Sequence, residues 1–243
     1  MKNTIDPYFK VEVVAQTPNP QQVIWLSAHQ CVCENVAMND KIPSEDKAGE
    51  YAVKHLLNGN RGHYSPLEAP QISFNASYFP HSVMQQITRH RIGIHFSVQS
   101  FRYTGQKIVD VANGDRDVEE VFYLRPVGEY TDRQGKRYAY TESLRESDID
   151  WCLSASIRYR TRTKLGFSEE HARALIPFDV RQHWVMSVNV RSLMHLLLIR
   201  GKKDAQLEAQ QLCELMLPHF ESWCPEIYQW FMSNLWMKGR LAP

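Results

Sequence analysis

The sequence predicts one α/β domain of 243 residues. Segments with apolar residues at helical spacing follow segments in which polar and apolar residues alternate with period two. The length suits one large domain or two small ones, but no internal repeat, linker or low-complexity segment divides the chain. We therefore expect a single domain over residues 1–243, built from strands and helices together.

The N-terminal half contains five predicted elements. An edge strand lies around 11–14 and is broken by Pro18 and Pro20. A helix over 21–36 follows, then a second helix over 45–57 with Ser44 as its N-cap. Residues 71–79 alternate as a half-buried strand does. Pro80 then opens a helix whose apolar stripe is Val83, Met84 and Ile87.

The C-terminal half is mainly helical. Residues 105–140 are poorly periodic and predict only short pieces of structure. A helix over 141–165 carries an apolar stripe, from which Trp151 points away, formed by Ile149, Cys152, Leu153 and Ile157. A short helix capped by Ser168 stops at Pro177. A strand over 184–190 and helices over 192–199, 204–217 and 225–236 complete the chain.

Composition excludes several classes of protein. Hydrophobic residues make up 43% and charged residues 23% of the chain, which is typical of soluble globular proteins. The net charge of +1 disfavours a polycation built for nucleic acid. The N-terminus lacks the apolar region of a signal peptide, and no stretch nears the ~18 apolar residues of a membrane span. We therefore expect a cytoplasmic protein with no nucleic-acid or membrane partner.

The five cysteines predict free thiols rather than a metal centre. Their number is odd, and the spacing of the one close pair, Cys31 and Cys33, is too short for the usual zinc knuckle. We therefore expect no metal site and a reducing compartment.

The stretch 86–104 has an unusual charge pattern. It holds three arginines and two histidines, Arg89, His90, Arg91, His95 and Arg102, but no Asp or Glu. Cations without local partners indicate an external phosphate or carboxylate. The alternative is a basic surface segment whose arginines pair with acids elsewhere in the fold. A metal bound by the histidines is disfavoured, because the arginines would repel a dication.

Two further places carry candidate binding residues. His63 and Glu68 flank a Ser-Pro turn and could hold a planar ligand or a diphosphate, although local hydrogen bonding is the commoner role. The second place contains Arg173, Asn189, Arg191, His195 and Arg200. Arg200 follows an apolar run, so its charge needs a target, unless it only complements the end of a helix. His195 alone would be read as a core histidine, whereas a buried Asn189 requires partners.

Any phosphate would have to be bound by the cationic side chains described above. The sequence has no glycine-rich phosphate loop, no nucleophile elbow and no C-x-x-C pair. An ordinary nucleotide-binding fold is therefore not indicated.

An ordered set of motifs resembles the flavin-dependent thymidylate synthases. Arg89-His90-Arg91 followed by Ser100-x-Arg102-Tyr103 is similar to the signature of that family. Further matches over about residues 50–210 come in the family's order: His63-x-Ser65-Pro66-x-Glu68, Gln86, Ala172-Arg173-x-x-x-Pro177, Asn189-x-Arg191-Ser192-Leu193-Met194 and Arg200.

The resemblance implies a fold, a reaction and an assembly. The fold would be a central, mainly antiparallel sheet flanked by helices, assembled as a homotetramer. The reaction would be methylation of dUMP to dTMP, with methylenetetrahydrofolate as carbon donor and NADPH as reductant through FAD. The family needs no cysteine nucleophile, and no cysteine of this chain lies in a matched motif.

The resemblance also assigns residues to ligands. The FAD positions would be His63, Ser65, Arg89, His90, Arg91, Asn189, Arg191 and His195. The dUMP positions would be Gln86, Arg89, Ser100, Phe101, Arg102, Arg173 and Arg200. Arg200 would be catalytic by stabilising the ionised N3 of the uracil.

Two departures from the family pattern stand out. The spacer between Arg91 and Ser100 has eight residues where the family has seven, and it lacks the usual Asn-Glu pair. His195 stands where the family commonly has Asn. The extra residue must be absorbed before Ser100, so the family pattern assigns no contacts to residues 97–99.

Two other functions fit parts of the pattern. A single-stranded nucleic-acid-binding module would use the basic stretch, with Phe96, Phe101 and Tyr103 as stacking platforms. A metal-dependent nucleotide hydrolase would use His63, His90 and His95. The near-zero net charge counts against the first, and the absence of acids around His90 and His95 counts against the second.

Overall fold

The computed structural model describes residues 5–132 and 134–238, in which strands and helices are mixed. The strands are β1 (Lys10–Gln16), β2 (Gln71–Pro80), β3 (Ile94–Val98), β4 (Gly128–Thr131), β5 (Arg137–Tyr140) and β6 (Arg181–Asn189). The helices are α1 (Pro20–Gln30), α2 (Glu45–Ala52), α3 (His81–Ile87), α4 (Gln106–Asn113), α5 (Val118–Val121), α6 (Glu142–Lys164), α7 (Glu169–Ala172), α8 (Val190–Arg200), α9 (Leu207–Trp223) and α10 (Pro225–Asn234). Most elements predicted from periodicity are therefore present.

Four strands form one sheet in the order β1-β2-β6-β3, and β4 pairs with β5 as an antiparallel hairpin. This mixture of helices and antiparallel sheet confirms the predicted fold class. Contacts divide the described chain into two compact units that interleave along the sequence. The first unit comprises residues 5–10, 76–89, 97–132 and 134–184, and the second comprises 11–75, 90–96 and 185–238. The single domain over 1–243 stays a prediction.

The core of the first unit lies between α4 and α6. Ile108 and Val111 of α4 are buried with Cys152 and Tyr159 of α6. The approach is close at Gly105, where an added Cβ would lie 1.9 Å from the Tyr159 hydroxyl oxygen. A side chain there would force the two segments apart, so Gly105 is required by packing.

A buried ion pair lies in the same unit. Arg181 is 1% exposed, and its Nη2 lies 2.9 Å from a carboxylate oxygen of Asp6. Its guanidinium carbon also lies 4.8 Å from the ring centre of Tyr8 and 5.4 Å from that of Tyr123. A buried charge needs such a partner and such cover to offset its loss of hydration.

The second unit is packed around α8. Apolar residues cover most of its circumference, and Leu193, Leu196 and Leu197 are fully buried. α8 packs against α9 and against the turn Ser65–Glu68, and that turn also contacts α1. A helix that is apolar on nearly all sides is expected at the centre of a core.

Two predicted features were wrong in detail. α1 ends at Gln30 instead of 36, because the Cys31 N–H donates to the Ala28 carbonyl and the Val32 N–H donates to the His29 carbonyl, which closes the helix. On α6 the predicted stripe is incorrect, since Leu153 and Ile157 are 36% and 40% exposed. The smaller Ala155 and Ser156 are buried instead, because they allow α6 to approach α4 closely. Trp151, predicted to point away from the stripe, is 55% exposed.

The five cysteines are all free, as the sequence predicts. Among the described helices, none combines the length and the hydropathy that crossing a bilayer requires.

Candidate functional site

The segment after Arg91 is attached to the start of α8 in the second unit. The Asn189 N–H donates to the Gly93 carbonyl at 3.2 Å, and the Ser192 hydroxyl donates to the Ile92 carbonyl at 2.8 Å. Gly93 has φ +67°, and an added Cβ would lie 2.3 Å from Asn189 Nδ2. Only glycine fits this turn, which fixes the chain that follows His90 and Arg91.

Asn189, predicted to lie within a strand over 184–190, is the last residue of β6 and the N-cap of α8. Its Oδ1 accepts a hydrogen bond from the Ser192 N–H at 2.8 Å. The predicted partner of this buried amide is therefore the helix terminus itself. The cap holds Arg191 and His195 in position on the first turns of α8.

His90, His195 and Arg200 come together in this unit. Arg200 Nε donates to His90 Nε2 at 3.1 Å, and the His90 and His195 ring centres lie 5.8 Å apart. Arginine only donates, so Nε2 of His90 must be the unprotonated nitrogen. Arg200 is 9% exposed, and its charge therefore has a specific neighbour beyond the end of its own helix.

A pocket of about 190 Å³ opens beside these residues, and two predicted flavin-binding residues line it. Its lining consists of Tyr64, Arg191, Met194, His195, Leu198 and Leu235. The Arg191 guanidinium lies 5.6 Å from the Tyr64 ring centre and is paired with Glu68. His63 and Ser65, both exposed, flank this tyrosine in sequence. The pocket therefore combines a cation and an imidazole with an aromatic and apolar wall.

A larger pocket of about 490 Å³ lies in the first unit, and it includes two predicted dUMP-binding residues. Its lining consists of His81, Phe101, Glu170, Arg173, Ala174, Ile176, Pro177, Phe178 and Val180. Arg102 Nε lies 2.7 Å from a carboxylate oxygen of Glu170, and both side chains are exposed. Arg102 thus contacts Glu170, which lines the pocket together with Arg173.

The arginines divide between the two interpretations of the basic stretch. Arg102 pairs with Glu170, as the surface interpretation predicts. Arg89 and Arg91 are exposed, and within residues 5–132 and 134–238 no acid pairs with either. The latter two therefore fit the interpretation of cations awaiting an external anion.

A group of polar side chains supports the wall around Phe101. Lys107 donates to Gln99 Oε1 at 3.0 Å and to the Arg181 carbonyl at 2.8 Å, and its Nζ lies 5.1 Å from the Phe101 ring centre. Burial lowers the pKa of Lys107 to about 8. Burial, with a contribution from Lys107, lowers the pKa of His183 to about 4. Burial also lowers the pKa of the pocket residue His81.

The eight-residue spacer has a structural use at its end. Residues 94–98 form β3, and the Gln99 N–H donates to the His183 carbonyl at 2.9 Å. Gln99 therefore bonds to β6 through its N–H and to Lys107 through its side chain. These are contacts of residues 97–99 that the family pattern did not assign. Ser100 Oγ accepts a bond from the Arg102 N–H at 3.4 Å, and Gln86 is half-buried on α3.

Sequence reasoning missed several residues of the two pockets, among them Tyr64, His81, Glu170 and Leu235. Tyr64 had a signal, because it lies between two predicted residues. Glu170 was read only as a first-turn acid of α7, a role that it also has. Leu235 lies beyond the motif-bearing region and carried no local signal.

Comparisons with known proteins place the chain in a family. Residues 12–226 match the family described as thymidylate synthase complementing protein. A flavin-dependent thymidylate synthase of Haloarcula marismortui is 32% identical, with 82% of each chain covered. Another from Halobacterium salinarum is 30% identical, and the match covers 96% of this chain and 100% of that protein.

Two solved structures share the fold. Thymidylate synthase X of Helicobacter pylori, solved with FAD and dUMP, has a TM-score of 0.71 at 20% identity and covers 93% of this chain and 99% of its own. The UMP/dUMP methylase PolB of Streptomyces cacaoi, solved with 5-Br dUMP, has a TM-score of 0.76 at 20% identity, with both chains covered fully.

These matches confirm the predicted family and support it over a nucleic-acid-binding module or a metal-dependent hydrolase. The matched residues span most of the chain and include all of the motifs that carry the resemblance. The chain belongs to the flavin-dependent thymidylate synthase family.

Proposed function

We propose that this protein methylates dUMP to dTMP, with methylenetetrahydrofolate as the carbon donor and NADPH as the reductant through FAD. One observation carries the proposal: each unit has its own pocket, and each pocket is lined by residues that the family motifs assign to one ligand. Arg191 and His195 line the smaller pocket, and Phe101 and Arg173 line the larger one.

The residues of the second unit fit a flavin dinucleotide. Tyr64 and the apolar wall of the pocket suit a planar ring, while Arg191 and the exposed Arg91 suit phosphate. His63, Ser65, Asn189 and His195 would contribute polar contacts, with His90 adjoining them. Arg89 is the member of the FAD set that lies in the first unit. When bound, FAD would supply the redox chemistry by accepting reducing equivalents from NADPH.

The residues of the first unit fit a nucleoside monophosphate. The pocket of about 490 Å³ lies within the ~300–1,000 Å³ typical of small-molecule sites. Phe101 offers a flat apolar wall to a pyrimidine, and Arg102 and Arg173 offer charge to its phosphate. Gln86, Ser100 and Arg89 complete the proposed dUMP set.

Arg200 is the proposed catalytic residue, acting on the uracil ring. A buried guanidinium is a permanent cation in a site of low dielectric constant, where it stabilises a nearby negative charge more than it would in water. The bond to His90 Nε2 orients the guanidinium. We propose that the charge it stabilises is the ionised N3 of the uracil.

The proposed assembly is a homotetramer in the cytoplasm. The pocket of about 190 Å³ in one chain is smaller than sites that hold whole drug-sized ligands, so it has room for only part of FAD. Walls from other subunits would complete it. Five free cysteines are consistent with a reducing compartment.

A pair of substitutions tests the assignment of one pocket to dUMP and of the other to FAD. Arg102→Ala should weaken dUMP binding about 10–100-fold and leave flavin affinity nearly unchanged, since a hydrogen bond to a charged group contributes about 1.5–3 kcal/mol. Arg191→Ala should instead weaken flavin binding and leave the affinity for dUMP nearly unchanged. Titrations of each variant with FAD and with dUMP measure both affinities.

Glu170→Gln is the matched control for Arg102. It removes the carboxylate that now holds the guanidinium, so dUMP should bind as tightly as before or more tightly. Equal loss of both ligands in Arg102→Ala and in Arg191→Ala would show that the pockets are misassigned.

A further inference from the structure

The turn after α1, remote in sequence from the family motifs, gathers three side chains of different chemistry. One ligand atom each from His29, Cys33 and Asp40 lies within 4.8 Å of the others. His29 Nε2 and Asp40 Oδ2 are 2.7 Å apart, and their side chains are 24% and 47% exposed. An imidazole, a thiol and a carboxylate therefore converge at a point that solvent can reach.

We propose that His29, Cys33 and Asp40 form a zinc-binding site. Zn²⁺ is bound by these three kinds of ligand at about 2.0–2.3 Å, with tetrahedral geometry and room for water as a fourth ligand. A thiolate and a carboxylate together neutralise the charge of a dication. Mg²⁺ and Ca²⁺ require oxygen ligands, so the histidine and the cysteine select against them.

Backbone hydrogen bonds bring the first two ligands onto one side of the chain. His29 lies in the last turn of α1, and the Cys33 N–H donates to the His29 carbonyl at 3.0 Å. This spacing of four residues is one helical turn, so the imidazole and the thiol are neighbours. The His29 ring also stacks on Trp25, with ring centres 4.4 Å apart, which limits its rotation.

Gln30 places the third ligand by folding the loop back on the helix. Its Oε1 accepts a bond from the Ala37 N–H at 3.0 Å, and its Nε2 donates to the Asn35 carbonyl at 3.3 Å. Ala37 is 2% exposed, and the Asp40 N–H donates to its carbonyl at 3.1 Å. Protein hydrogen bonds thus preorganise the three ligands, which lowers the entropic cost of binding an ion.

Cys31 is not among the three residues whose ligand atoms converge. The Cys33 thiol donates to the Asn35 carbonyl at 3.0 Å, and the thiolate that binds zinc would give up this bond. Cys31 has a similar bond on the other side of the turn. Its thiol donates to the Ser27 carbonyl one turn earlier in α1, with a sulfur to oxygen distance of 3.3 Å. It is therefore a control cysteine two residues from the proposed ligand.

The proposed role of the ion is to fasten the loop 31–40 to α1. α1 packs against α2 and against the turn Ser65–Glu68, so the ion would stabilise a helix on which that turn rests. An ion that binds only the folded chain raises the free energy of unfolding by mass action.

Metal titration of reduced, tag-free protein tests the proposal. After treatment with chelator, one Co²⁺ per chain should bind and give a thiolate-to-cobalt absorption band, and Zn²⁺ should displace it and raise Tm. Cys33→Ser should abolish the band and weaken Zn²⁺ binding roughly tenfold or more, whereas Cys31→Ser should leave both unchanged. Asp40→Asn, at an exposed side chain, should also weaken Zn²⁺ and covers the case in which Cys33→Ser fails to fold.

Absence of the band, or equal loss in Cys31→Ser and Cys33→Ser, would overturn the zinc site. Unchanged Zn²⁺ affinity in Asp40→Asn would also overturn it. FAD and dUMP affinities of these variants should match those of the parent protein, so failure of the zinc site is separable from failure of the proposed catalytic function.

Discussion

Arg200 is the residue on which the proposed chemistry depends most. It is 9% exposed, ends α8 and donates to His90, which lies on the chain between α3 and β3. The sequence indicated that its charge needed a target, because it follows an apolar run. It carried no signal for His90 as that target, because the two residues are 110 positions apart.

Arg200→Ala should retain bound flavin but lose dTMP formation by roughly 10²–10³-fold, since removing one oriented donor at a developing charge has that effect. Arg200→Lys should recover part of the activity by restoring the charge. Turnover assays beside absorption spectra of each variant measure the two effects. Undiminished synthesis in Arg200→Ala would refute the N3 role.

Gly93 offers a second test at the scale of one residue. Gly93→Ala combines an unfavourable φ, which costs about 1–2 kcal/mol, with a clash against Asn189 that should weaken the cap of α8 by about 1 kcal/mol more. Gly114→Ala is the control, because Gly114 also has positive φ but open space around it. Unfolding in denaturant measures the free energy of unfolding of both variants and of the parent protein. Equal destabilisation of both variants would mean that the turn adapts to a side chain.

At the scale of elements, periodicity and caps located most helices and strands. Ser168 accepts a bond from the His171 N–H as a cap should, and β2 buries alternate residues from Ile72 to Ala76 as predicted, although the alternation breaks at Ser77. The ends of the helices and their buried faces were harder to predict. α1 stops where the Gln30 side chain bonds to the Ala37 N–H and folds the loop back. α6 turns small residues inward because it packs against α4, a separate element. Local patterns do not contain that information.

His183 on β6 should make stability sensitive to acid. Its Nδ1 accepts a bond from the Tyr78 N–H at 3.3 Å, and Tyr78 has φ +67°. The folded pKa of about 4 lies below the ordinary 6.5, so between these values the unfolded state binds more protons. Stability is therefore present above about pH 6.5 and is lost as pH falls toward about 4.

His183→Gln should flatten the fall of Tm between pH 6.5 and 4, because the titrating ring is gone. His171→Gln, at an exposed side chain, should leave the slope unchanged. Thermal unfolding between pH 6.5 and 4 gives the Tm of the parent protein and of both variants. A parent-like slope in His183→Gln would assign the acid sensitivity to other groups.

At the scale of the whole molecule, the two ligand sets separate almost completely between the two units. The flavin set lies in the second unit except for Arg89, and the dUMP set lies in the first except for Arg200. The ordered motifs predicted which residues form each set. They did not predict the pockets, because Leu235 and Phe178 reach them only through folding.

The central claim is that this chain couples flavin reduction to dUMP methylation, and one assay tests it directly. Protein reconstituted with FAD should be yellow, should oxidise NADPH faster when dUMP is added, and should form dTMP when methylenetetrahydrofolate is also present. A protein that stays colourless after reconstitution, or whose NADPH oxidation ignores dUMP while no dTMP forms, would contradict the claim.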